Sequence, residues 1–62
     1  MDFQVENHGS IVLLRPMSDA GREWAEQYLP DDAPMFGLAY AIEHRYIGDI
    51  VEGIRADGLE VA

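Results

Sequence analysis

Residues 2–16, "DFQVENHGSIVLLRP", determine the fold predicted for this chain. Phe3 and Val5 alternate with polar neighbours, as in a strand that buries one face. Gly9 can adopt the positive φ that a tight hairpin turn needs. The segment after the turn is rich in branched side chains, which favour strands, and Pro16 ends it because proline cannot donate to a ladder. The stretch therefore predicts an antiparallel β-hairpin.

A helix is predicted to follow the hairpin over residues 19–29. Ser18 is a good N-cap, and Pro30 ends the helix. At about 100° per residue, small and apolar residues fall on one face and carboxylates on the opposite face. The predicted buried stripe is Met17, Ala20, Gly21, Trp24 and Tyr28, and the opposite face carries Asp19, Glu23 and Glu26. Trp24 and Tyr28 are thus expected to pack in the core.

Residues 35–43, "MFGLAYAIE", predict a third strand. Its larger side chains alternate with small ones, so that one face would bury bulk and the other would let a helix pack closely. The large face is Phe36, Leu38, Tyr40 and Ile42, and the small face is Gly37, Ala39 and Ala41. An alanine-rich run also suits a helix, and that alternative stays open.

From His44 onward the apolar period becomes helical. The predicted stripe is Tyr46, Ile47, Ile50, Val51 and Ile54, and "DG" at 57–58 supplies a C-terminal stop. The residues "LEV" at 59–61 leave open a short final strand. The order β-β-α-β-α indicates the α+β class, a two-layer sandwich in which two helices cover a small sheet. The whole chain, residues 1–62, is interpreted as a single domain.

The composition restricts the partners that the chain can have. It holds 12 acidic residues against 4 basic ones, all arginine, for a formal charge of −8. This charge repels nucleic acids and anionic membranes and attracts basic proteins. A 62-residue chain without cysteine has a small core and no disulfide to support it, so we expect a homodimer. The chain shows no signal peptide and no apolar run of membrane-spanning length, and we expect a cytoplasmic protein.

Catalytic, metal and cofactor sites are not expected. Ser10 suits a turn and Ser18 a cap, and neither has a convergent base. His8 and His44 are best explained as surface or boundary residues, because no metal-binding spacing connects them to further ligands.

The candidate partner-binding surface lies in and after "SDAGREWAEQYLPDD" (18–32). A solvated helix face is the ordinary explanation of such an acidic stripe. However, Asp19 and Glu23 repel each other at i, i+4 with no lysine to relieve them. Carboxylates at this spacing stand about 6 Å apart along the helix, near the spacing of nucleic-acid phosphates. The candidate residues are Asp19, Glu23, Glu26, Asp31 and Asp32, with Met35 and Phe36 as an adjacent apolar anchor.

The segments "VENHGSIVLLRP" (5–16) and "EHRYIGDIVEGIRADGLEV" (43–61) resemble a group of small uncharacterised proteins encoded in proteobacterial genomes, phages and plasmids. The resemblance implies a bacterial or mobile-element setting, and no activity or site residue. The leading hypothesis is a non-catalytic interaction protein that binds another protein, such as a basic nucleic-acid-handling one, in the manner of a decoy or inhibitor. The alternative is a homo-oligomeric structural or accessory domain whose acidity serves only solubility. A small enzyme is the third hypothesis.

Overall fold

The computed structural model describes all 62 residues as one small sheet with two helices. The elements are β1 (Phe3–His8), β2 (Ile11–Pro16), α1 (Asp19–Tyr28), β3 (Met35–Phe36), β4 (Ala39–Glu43) and α2 (His44–Ala56). The strands lie in the order β1-β2-β4-β3 and every neighbouring pair is antiparallel. The predicted α+β architecture, with its N-terminal hairpin and two helices, is confirmed.

The N-terminal hairpin turns through Gly9 and Ser10, between the paired residues His8 and Ile11. Gly9 has a φ of 74°, and no other residue of the turn has a positive φ. Positive φ at the first central position alone is the pattern of a type II′ turn, which suits the twist of a hairpin. Pro16 lies opposite Phe3, whose N–H donates instead to the carbonyl of Glu60 at 3.0 Å. The missing proline N–H therefore costs the ladder no hydrogen bond.

The single strand predicted over 35–43 is wrong, because the segment forms a second hairpin. Gly37 has a φ of 59° and reverses the chain between β3 and β4. After the reversal Phe36 lies opposite Ala39, and so shares the face of Ala39 instead of the face of Ile42. Phe36 and Leu38 are consequently 70% and 80% exposed. The helices pack against the face that carries Ile42, and the expectation of packing on the small-residue face is also wrong.

The core lies between the sheet and the helices. Its fully packed residues are Phe3, Leu14 and Ile42 from the sheet, Ala25 from α1, Leu29 just after α1, and Ile54 from α2. The α1 stripe is rotated from the predicted one, because Tyr28 is 56% exposed and its neighbour Leu29 is buried. Met17 is likewise exposed. Helix α1 lies against the residue that precedes β1 through Gly21, where an added Cβ would lie 2.4 Å from the carbonyl oxygen of Asp2.

Trp24 is half-buried, and it joins three elements. Its ring packs edge-to-face on Phe3 with the centroids 6.0 Å apart. Its far edge lies over Gly53 of α2, 3.5 Å from where a Cβ would stand. The indole Nε1 donates to Asp57 Oδ2 at 2.7 Å, at the C-terminus of α2. Trp24 was expected in the core, and it instead lies at the edge of the core with its polar end in contact with water. Ile50, expected to be buried, is also half-buried against the core.

The chain termini meet beside β1. Val61 bridges to Phe3 in parallel, so the final strand that the sequence left open is a one-residue bridge. The carboxylate of Asp2 accepts hydrogen bonds from Ser18 Oγ at 2.6 Å and from Glu60 N at 2.8 Å. These two bonds, the Ser18 one first, lower the pKa of Asp2 below its usual value. Ser18 Oγ also accepts from Gly21 N at 3.0 Å, which confirms the predicted N-cap.

Candidate functional site

One face of the molecule carries a groove of about 720 Å³, a volume typical of ligand-binding clefts. It lies between the C-terminus of α1, the loop 30–34, strand β4 and the first half of α2. Its lining is mostly apolar. The lining residues are Ile11, Tyr28, Leu29, Pro30, Asp32, Ala33, Pro34, Ala41, Ile42, Glu43, Tyr46, Asp49 and Ile50.

Local sequence signals build the walls of this groove. Pro30 prevents α1 from continuing, and the chain makes a turn at 31–32 before Pro34. The carbonyl of Pro34 accepts from Ala41 N at 2.9 Å, which holds the loop against β4. Helix α2 starts directly after β4 without a connecting loop, and its first turns form the remaining wall.

The charges of the groove are of one sign. Asp32, Glu43 and Asp49 line it, and no arginine or histidine does. Glu43 pairs with Arg45 at 3.5 Å outside the lining, and no ion pair reaches Asp32 or Asp49. Two exposed aromatic side chains, Tyr28 and Tyr46, complete the lining. An apolar floor with carboxylates and tyrosines around it can hold apolar and cationic side chains together.

The candidate residues from the sequence are brought to different places. Asp32 lines the groove. Glu26 and Met35 line a smaller depression of about 130 Å³ together with Arg22. Asp19 pairs with Arg22 at 2.6 Å on the outer face of α1. Glu23, Asp31 and Phe36 are exposed and belong to neither concavity.

Four groove residues escaped the sequence analysis: Tyr28, Glu43, Tyr46 and Asp49. The two tyrosines were assigned to buried stripes. A tyrosine can place its ring on apolar atoms and its hydroxyl in water, and this amphipathic character was the available signal. Nothing in the sequence indicated that Glu43 and Asp49 would face the loop 30–34, since that contact depends on the tertiary arrangement.

The histidines and serines take structural positions. His44, the first residue of α2, donates from Nε2 to the carbonyl of Gly9 and so joins α2 to the first hairpin turn. His8 is exposed beside Glu6, with His8 Nε2 4.0 Å from Glu6 Oε2. Ser18 is engaged by Asp2 and Gly21. No three His, Asp or Glu side chains converge in a geometry that could ligate a metal ion.

No family model, curated protein or solved structure matches the chain. Neither helix has the length and apolar character required to cross a membrane.

Proposed function

We propose that the chain is a small non-catalytic interaction protein whose groove binds a basic partner protein. The observation that carries the proposal is the combination of an apolar floor with carboxylates of one sign in the same concavity. Residues Leu29, Ile42 and Ile50 supply apolar surface there, beside Asp32 and Asp49. Desolvated apolar contact supplies affinity, and the carboxylates select a partner of opposite charge.

The charge of the whole chain supports the same class of partner. The formal charge of −8 creates a negative field that attracts basic proteins before contact. The outer face of α1, with Asp19, Glu23 and Glu26, contributes to this field without lining the groove. Nucleic-acid-handling proteins are a major class with basic surfaces, and a decoy or inhibitor role toward one of them agrees with the mobile-element setting that the resemblance implies.

The test compares two double variants with the same change of charge. In Asp32→Asn/Asp49→Asn two carboxylates of the groove are neutralised, and in Glu23→Gln/Glu26→Gln two carboxylates of the outer α1 face are neutralised. Each immobilised protein is used to capture partners from a bacterial lysate, and the affinity of the main captured protein is then measured at low and physiological salt. Circular dichroism and the fluorescence of Trp24 serve as the controls that each variant is folded.

We expect the groove variant to lose the basic partner and the α1 variant to keep it with slower association. Binding by the wild type and by the α1 variant should weaken at higher salt, because exposed charges are screened within about 8 Å at physiological ionic strength. Loss of binding in the α1 variant alone would move the site to the acidic stripe. Equal capture by the wild type and by both double variants, or capture of no basic protein, would contradict the proposal.

A second candidate function is self-association, which a specific exposed surface favours. Met35, Phe36 and Leu38 are large, exposed apolar side chains of the β3–β4 hairpin, with Met35 and Phe36 on opposite faces of its short strand. A hairpin with exposed apolar side chains can pair with a second copy and support a domain with a small core. Light scattering at micromolar concentration would then report twice the 6.9 kDa mass of the chain, and Phe36→Ser would return it to a monomer.

A further inference from the structure

We infer that the groove takes its partner as an extended basic segment, with a backbone carbonyl of that segment accepting a hydrogen bond from the N–H of Glu43. This inference rests on the proposed function and specifies the form of the partner. It follows from the strand register, the groove and its charge together.

The strand register leaves the Glu43 N–H without a partner. Phe3 and Val5 bond the C-terminal segment, so the alternate residues of β1 bond β2. The same alternation directs Tyr40 and Ile42 of β4 toward β2, and directs Ala41 and Glu43 toward the opposite edge. The bond from Ala41 N to the carbonyl of Pro34 confirms that direction.

Pro34 ends the pairing on that edge. It has no N–H to donate, and the chain before it forms the turn at 31–32 instead of continuing β3 along β4. No side chain accepts a hydrogen bond from Glu43 N either. Strand β4 therefore has a free donor at its open edge, within the groove that Glu43 and Asp32 line.

An extended segment suits this site better than a helix does. A helix satisfies its own backbone groups, whereas an extended segment has carbonyls free to accept a bond from a strand edge. Its side chains alternate, so that one set can face the apolar floor while the other set lies near the carboxylates and the tyrosine rings. A second copy of this chain would bring another charge of −8 to a groove lined by three carboxylates, which disfavours it as the occupant.

The backbone at Glu43 permits a direct test. Its φ is −69° and its ψ is 146°, so a proline fits this position without a change of backbone conformation. Glu43→Pro removes the N–H and the carboxylate, and the matched variant Glu43→Ala removes the carboxylate alone. The difference in affinity between the two variants therefore reports the contribution of the Glu43 N–H and of the space that the proline ring would occupy.

The probe is a blocked heptapeptide that alternates arginine with valine, and the control peptide has the same composition in a scrambled order that breaks the alternation. Affinities are measured by fluorescence anisotropy against both variants and the wild type. We expect the alternating peptide to bind Glu43→Ala at least tenfold more tightly than Glu43→Pro. In the wild type we expect slower hydrogen exchange of the Glu43 amide when the peptide is present, a measurement that serves even if Glu43→Pro folds poorly.

Three results would overturn the inference: equal affinity of the two variants, preference for the scrambled peptide, or unchanged exchange at Glu43 under saturating peptide. A dimer in light scattering that Glu43→Pro abolishes would make a second copy the occupant, and would also overturn it. The lysate experiment separates this inference from the proposed function. If capture of a basic protein depends on Asp32 and Asp49 but the alternating peptide does not bind, the inference of an extended segment is refuted and the proposed function stands.

Discussion

Two helical glycines should respond in opposite directions to the same substitution. Gly21 lies in α1 and Gly48 in α2, and alanine has the higher helix propensity at both positions by about 1 kcal/mol. At Gly48 an added Cβ would meet no atom within 4 Å. At Gly21 it would lie 2.4 Å from the carbonyl oxygen of Asp2. We therefore expect Gly48→Ala to stabilise the protein and Gly21→Ala to destabilise it.

The cost at Gly21 can be estimated from its contacts. A carbon and a carbonyl oxygen normally stay about 3.3 Å or more apart, so Asp2 must move by roughly 1 Å. That oxygen accepts from Met17 N at 2.7 Å, and the Asp2 carboxylate accepts from Ser18 Oγ at 2.6 Å. Overpacking costs about 1–3 kcal/mol, and weakening one such bond costs about 1 kcal/mol. After the propensity gain, the expected net loss is about 1–3 kcal/mol.

Urea denaturation followed by Trp24 fluorescence measures both variants under the same conditions. A domain of this size has a free energy of unfolding of about 3–9 kcal/mol, so the expected loss is a large fraction of it. Gly48→Ala is the matched control, with an expected gain of about 0.5–1 kcal/mol. Gly21→Ala as stable as the wild type would show that α1 does not lie against Asp2, and would refute the packing described for the N-terminal segment.

Two further predictions concern Asp2 and Trp24. The pKa of Asp2 is lowered on folding, chiefly by the hydrogen bond from the Ser18 hydroxyl. The ionised carboxylate therefore stabilises the fold above its unfolded pKa of about 3.9, and this stabilisation is lost as the pH falls through the pKa of the folded state. Asp2→Asn should therefore lower stability at pH 7 and reduce the fall in stability between pH 5 and pH 2, as measured by urea midpoints. A pH profile of stability that is the same as in the wild type would contradict the role of the hydrogen bonds to the Asp2 carboxylate. Trp24→Ala should lower the free energy of unfolding by about 2–4 kcal/mol, below the upper end for buried aromatics because the ring is partly exposed. Urea unfolding followed by circular dichroism measures this change, and a negligible loss of stability would show that the ring does not join the helices.

The features that could be predicted from the sequence depend on short segments. The turn at Gly9, the N-cap at Ser18 and the end of α2 at Asp57 and Gly58 each follow from residues within a few positions of each other. The second hairpin was missed because Gly37 stands within a run of alternating large and small residues that resembles a single strand. Its positive φ reverses the chain where the alternation alone gives no sign of a turn.

The error in α1 has a different cause. The predicted stripe followed the large aromatic residues Trp24 and Tyr28, whereas the helix buries the smaller Gly21 and Ala25 with Leu29. Close approach to the segment before β1 requires small residues at the point of contact, as the 2.4 Å distance from a Gly21 Cβ to the carbonyl oxygen of Asp2 shows. The aromatic residues flank that contact. Volume therefore decided the orientation of this helix, and periodicity alone could not show it.

The groove is least accessible to sequence analysis because its walls come from three separate stretches of the chain: Ile11, residues 28–34 and residues 41–50. The carboxylates that dominate the sequence between 18 and 32 do not form one surface, and only Asp32 among the seven candidate residues lines the groove. On the proposed function, the carboxylates of α1 act at a distance and accelerate encounter with a basic partner. On the same proposal, short-range selection depends on Asp32, Glu43 and Asp49, together with an apolar floor and a free backbone donor. Charge composition could suggest the class of partner that we propose, but the set of side chains that line the groove depends on how β4 and α2 meet the loop 30–34.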